Sequence, residues 1–269
     1  MSIIVATNFS KLSENAVLYA AALAQEFNTK LVLFNTFRLP VHVANSRLPA
    51  SSVDHFFQIN KNKLKENALK ISKEFNIEVA YKSSYTNLEE EVDSLMKLYE
   101  ARFIVIGMSP KSLEQNLLGN PTTTLISMKE FPVLAIPLCA KFKGIKNILF
   151  ACDLLEGVPL KTLAKLRQVS LSLNAIVTVF YVDKKVEELQ TEINANLDKE
   201  LEDVTLLYKN VKSNSVIDAI EAEVKKSNSD LLVMMPKRYG FWESILHKSK
   251  TRMMASGLNI PLLSIPIKK

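Results

Sequence analysis

A chain of 269 residues, 48% of them hydrophobic, is long for one compact core and comfortable for two of roughly 130 residues each. Its longest fully apolar run, Ala16 to Ala24, falls far short of the ~20 residues that cross a bilayer, which excludes a membrane-spanning helix. The net charge of +6 is spread over short clusters (Lys61, Lys63, Lys65; Lys141, Lys143, Lys146; Lys248, Lys250, Arg252) that alternate with apolar residues, so hydrated helix faces account for it better than a nucleic-acid interface does.

Met1-Ser2 runs straight into Ile3-Ile4-Val5, with no basic leader or cleavage site, and a strand is predicted over 2–7. Ser10 then caps a helix over 10–27 whose Leu12, Ala16, Tyr19, Leu23 and Phe27 share one face. A strand at 30–36 is followed by an irregular stretch, Pro40 to Ser52. A helix at 53–75, a strand at 77–81 and a helix at 88–99 come next, the last striped by Leu88, Val92, Leu95, Met96 and Tyr99. A strand at 102–107, a helix at 120–129 and a strand at 132–136 complete the first half. Short β-branched strands alternating with amphipathic helices imply a doubly wound, mostly parallel sheet with helices on both faces.

The pattern then repeats. Ile3–Asn8 matches Ile148–Asp153 at an offset of 145, and the same offset sets Leu31–Phe34 against Ile176–Val179. Phe103–Ile106 matches Leu231–Met234, and the Pro-bracketed run Pro132–Pro137 matches Pro261–Pro266. Four matches in one order point to two tandem copies of one α/β domain, 1–139 and 145–269, joined by the basic segment 140–144. In the second copy, stripes at Val186, Leu189, Ile193, Leu197 and Leu201, and at Val216, Ile217, Ile220 and Val224, mark two helices.

Ligands of open α/β sheets bind beyond the carboxyl ends of the strands, at the switch in strand order. Three segments qualify: Thr7-Asn8 with its counterpart Cys152-Asp153, Asn35-Thr36, and the loop from Gly107 to Gly119-Asn120. That loop enters a helix at Pro121-Thr122-Thr123-Thr124, where free backbone N–H groups and a positive dipole suit an anion. The plainer alternative is that Asn120 and the threonines only cap the helix. Other chemistries lack their residues. His42, His55 and His247, with the distant Cys139 and Cys152, do not compose a zinc site. No G-x-S-x-G, G-x-x-x-x-G-K-[ST] or G-x-G-x-x-G occurs. Cysteines without metal or redox spacing suit a reducing cytoplasm. Phe241-Trp242 reads either as a platform for a partner or ligand or as packing over the nearby helix.

The opening Ala6-Thr7-Asn8-Phe9-Ser10, the closing Pro132–Pro137 and the Gly107–Gly119 loop together resemble the universal stress protein family, over the whole chain and twice. That family carries Gly, two residues, Gly, nine residues, then Gly-Ser/Thr before its last helix, and an Asp at the end of the first strand that faces bound ATP. The resemblance implies a cytoplasmic stress-response protein with ATP or another adenine nucleotide held in the first domain by Asn8, Thr36, Ile106, Gly107, Gly119, Asn120 and Thr122. It also implies last strands, Val133–Ile136 and Leu262–Ile265, that pair within the chain as a pseudo-dimer, with a further homodimer left open.

The chain departs from the family motif. Pro110 stands for the second glycine, eight residues rather than nine precede Gly119, Asn120 replaces the hydroxyl residue and Asn8 replaces the acid. In the second domain Met235, Arg238 and Lys248 replace all three glycines, while Asp153 and Ser249 are kept; Asp153, Arg238, Lys248 and Ser249 make a candidate anion site. Two readings follow: a ligand-sensing binding protein with a diverged second domain, or a nucleotide-free module whose remodelled loops bind an unidentified protein. Asn8 cannot act as a general base, so no catalytic residue is assigned, and slow nucleotide hydrolysis is left open.

Overall fold

The structure, a computed structural model, describes residues 1–37, 50–108, 121–128, 130–151, 160–182, 204–211, 216–235 and 259–266. The chain divides into two compact units, Met1–Gly107 and Met108–Lys269.

The first unit is an α/β layer structure. Strands β1 (Ser2–Ala6), β2 (Lys30–Thr36), β3 (Val79–Ser84) and β4 (Ala101–Met108) form a parallel sheet in the order β3-β2-β1-β4. Helices α1 (Lys11–Glu26) and α2 (Ala50–Phe75) lie side by side on one face, and α3 (Leu88–Leu98) covers the other. Two-sided cover explains the sequence of β2, where Leu31, Val32, Leu33, Phe34 and Asn35 are all buried. The stripe of α1 nearest the sheet is alanine-rich; Ala16, Ala20, Ala21 and Ala24 are fully buried, and their small side chains let the helix lie close.

Helix ends follow from the sequence as well. Ser10 caps α1, its Oγ accepting from Ser13 N at 3.3 Å. Asn28, Asn76, Asn174 and Asn228 each take the left-handed conformation just after a helix, the non-glycine residue best suited to it.

In the second unit α4 (Pro121–Met128), β5 (Val133–Pro137), β6 (Asn147–Ala151), α5 (Leu160–Leu173), β7 (Ile176–Val182), β8 (Leu206–Val211), α6 (Val216–Lys226), β9 (Leu231–Met234) and β10 (Leu262–Ser264) are described. Strand order is β5-β10-β9-β6-β7-β8, so the order 3-2-1-4 of the first unit recurs as 8-7-6-9. All these pairs are parallel except β5 with β10, where Val133 faces Ser264 and Ala135 faces Leu262 in an antiparallel ladder. The pairing expected of the two Pro-bracketed runs is therefore present. The helix stripe expected from Val186 to Leu201 lies outside the described residues.

Two expectations are corrected. The strand expected at 77–81 is Val79–Ser84, because the ladder with β2 continues through the polar residues Lys82, Ser83 and Ser84, opposite Phe34, Asn35 and Thr36. The repeat offset changes from 145 to 146 between the first and second strands: Ile3 faces Leu31, whereas Ile148 faces Val177 rather than Ile176. Asn28 and Asn174, the left-handed residues before those strands, keep the offset of 146. One residue is thus inserted ahead of Asn174. Among the described residues no helix is long and apolar enough to cross a membrane.

Candidate functional site

Strand order in the first unit reverses between β1 and β4, since β2 and β3 lie on one side of β1 and β4 on the other. The crevice beyond their carboxyl ends is where an open α/β sheet takes a ligand. Four of the expected residues come to this edge. Asn8 follows β1, Thr36 ends β2, and Ile106 and Gly107 lie near the end of β4.

The turn from β1 to α1 is built almost entirely on its own side chains. Asn8 N donates to Ser13 Oγ (3.3 Å), Phe9 N to Thr7 Oγ1 (3.1 Å) and Ser10 N to Asn8 Oδ1 (3.2 Å). Ser10 Oγ also donates to Asn8 Oδ1 at 2.6 Å. These bonds hold Phe9 at φ 60, a costly conformation for an aromatic residue, and the Lys63 ammonium sits 4.5 Å from its ring. The amides of this turn are therefore spent inside the protein. What Asn8 offers outward is its exposed Nδ2, a neutral donor where an aspartate would offer only acceptors.

Gly107 has a structural reason to be glycine. A Cβ there would stand 2.6 Å from Leu12 Cγ and 3.1 Å from Leu12 O in the first turn of α1. The close approach of helix to strand requires it, whatever else its backbone does. Ile106 is 8% exposed and Thr36 half-buried. Thr122, in the first turn of α4, belongs to the second unit and is buried. Gly119, Asn120, Asp153, Arg238, Lys248 and Ser249 lie outside the described residues.

Along the same edge lies a row of which the sequence singled out Thr7 and Asn35 but neither Asn60 nor Ser83. Asn35 Nδ2 donates to Thr7 O (2.7 Å), and Asn60 on α2 donates through Nδ2 to Asn35 Oδ1 (2.5 Å) and to Ser83 Oγ (3.3 Å). One turn earlier on α2, Phe57 stacks on Tyr85 with centroids 4.1 Å apart, and Phe37 meets both rings edge-on. Partial burial and the Asp54 carboxylate that accepts its hydroxyl raise the Tyr85 phenol above its ordinary value. An asparagine in the apolar stripe of α2 was the one signal available for Asn60.

Across the sheet, Glu91 accepts from Ser84 Oγ (2.7 Å) and Thr86 Oγ1 (2.6 Å), which with Lys82 hold its carboxyl below the ordinary value. Ser83 and Ser84 thus face opposite layers, as neighbours on a strand must. At the other end of the sheet an open cleft of about 410 Å³ is lined by Phe27, Lys30, Glu78 and Arg102 among others. Its cations are already engaged, Lys30 with Glu78 at 2.8 Å and Arg102 over the Phe27 ring at 5.7 Å. It lies at the amino ends of the strands, away from the switch point.

The Universal stress protein family profile matches residues 1–137. No curated protein sequence matches the chain. Among solved structures, a universal stress protein from Archaeoglobus fulgidus DSM 4304 is 14% identical with a TM-score of 0.74, over 98% of this chain and 96% of that one. A Pseudomonas aeruginosa UCBPP-PA14 protein assigned to the same family is 14% identical with a TM-score of 0.56, over 98% and 92%. The cytoplasmic domain of a prokaryotic cation chloride cotransporter is 9% identical with a TM-score of 0.59, over 98% and 94%. At these identities the structures establish the fold, and the family rests on the profile match over just more than half of the chain: it belongs to the universal stress protein family.

Proposed function

We propose that the chain is a ligand-sensing binding protein rather than an enzyme, that it holds an adenine nucleotide at the carboxyl edge of its first repeat, and that its second repeat has diverged. The observation that carries this reading is the β1–β4 switch point, to whose edge the exposed Asn8 carboxamide, Thr36 and the end of β4 all come. A carboxamide can hydrogen-bond a ribose or base without adding charge beside phosphates.

The second repeat supports a division of labour. Its position equivalent to Gly107 in register is Met235, whose side chain is buried, so the end of this strand is built differently in the two units.

Small molecules released by denaturing the full-length protein, identified by mass spectrometry, test the proposal. An adenine nucleotide in near-stoichiometric amount is expected; none above the background of an unrelated protein purified alongside would overturn it.

A further inference from the structure

The corner formed by β2, β3 and α2 has hydrogen-bonding capacity that the protein does not use. Thr7 O can only accept, which fixes Asn35 with Nδ2 toward it and Oδ1 toward Asn60. Asn35 Oδ1 can only accept in turn, so Asn60 must present Nδ2 to it and to Ser83 Oγ. Two groups are thereby left side by side and uncommitted: Asn60 Oδ1, an acceptor, and the Ser83 hydroxyl hydrogen, a donor. Both residues are half-buried.

Aromatic rings flank this pair. Tyr85 follows the end of β3, and its contact with Phe57, one turn before Asn60 on α2, places its ring on the α2 side of the sheet. One face of its ring rests on Phe57, and the residue is still 53% exposed. Asn60 meets the next-to-last residues of β2 and β3, so the first turns of α2 run on past the sheet edge and bring Phe57 to it. The fold itself does not demand this row. In register, Asn35 and Ser83 correspond to Tyr181 and Asn210 in the second unit, where the sequence keeps no such set.

We infer that this corner reads the base of the bound nucleotide: a planar heteroaromatic ring stacks on the open face of Tyr85 and sets an adjacent donor and acceptor of its edge against Asn60 Oδ1 and the Ser83 hydroxyl. Nucleobase edges carry such pairs, and aromatic side chains stack on any base. Two interstrand spacings, about 10 Å, separate β3 from β1, which lets the phosphates of the same molecule reach the switch point. The inference rests on the nucleotide reading above.

Titration calorimetry of the full-length protein with ATP, and with tripolyphosphate as the base-free probe, tests it. Ser83→Ala removes only the donor, and Asn60 keeps its bond to Asn35; Tyr85→Leu removes the stacking face. Each is expected to weaken ATP binding about tenfold and to leave tripolyphosphate binding unchanged. Unaltered ATP affinity in both variants would overturn the base-reading corner while the nucleotide site stood. Equal weakening of both probes would show a loosened site and overturn it too. Wild-type protein that takes up no ATP would remove both the corner and the nucleotide reading.

Discussion

Replacing Lys209 by Met is expected to cost roughly 3–5 kcal/mol of stability and to lower the melting temperature by on the order of ten degrees. Glu223 on α6 is 4% exposed, and its Oε1 lies 2.6 Å from Lys209 Nζ on β8. Take the lysine away and a carboxylate is left in the protein interior without its cation. The reverse change is milder, because the Lys209 side chain is 33% exposed and can turn to water. The first unit supplies an internal control. Lys82 occupies the register position equivalent to Lys209 and pairs with Glu91, but at 3.7 Å and with both side chains more exposed. Lys82→Met is therefore expected to cost about 1 kcal/mol or less. Urea unfolding of the two variants decides the point; a smaller loss for Lys209→Met than for Lys82→Met would contradict the account of the buried pair.

Gly107→Ala is expected to cost about 1–3 kcal/mol even in ligand-free protein. The added methyl would sit 2.6 Å from Leu12 Cγ, and the neighbouring Leu12 O at 3.1 Å is main chain that cannot swing aside. Leu12→Ala combined with Gly107→Ala removes the closer contact and leaves the second, so the double variant should recover part of the loss relative to the sum of the singles. Denaturant midpoints with unchanged slopes would report this directly. Unaltered stability of Gly107→Ala would mean that the glycine is present for a ligand alone.

The fold was legible because burial on both faces leaves a strong trace: runs such as Ile3-Ile4-Val5 and Leu31–Phe34 admit few other readings. Where polar residues entered the ladder the trace faded. Lys82-Ser83-Ser84 did not read as strand, although β2 pairs with all three. The inserted residue before Asn174 was equally hidden, since apolar strands match each other almost as well one position out of step.

Strand-end logic named Asn8, Thr36 and Gly107, which do share one edge, while the close approach of Leu12 to Gly107 left no trace in the sequence. Asn60 and Ser83 were out of reach, because their meeting depends on how far α2 overhangs the sheet, a tertiary fact with no periodicity of its own.

We propose that the carboxyl edge of the first unit takes an adenine nucleotide. Amide chemical-shift mapping of the full-length, isotope-labelled protein against ATP tests it most directly. Shifts are expected at Thr7, Asn8, Phe9, Thr36, Ile106 and Gly107, which share the carboxyl ends of β1, β2 and β4. No shifts at saturating ATP, or shifts confined to Phe27, Lys30, Glu78 and Arg102 at the opposite end of the sheet, would contradict it.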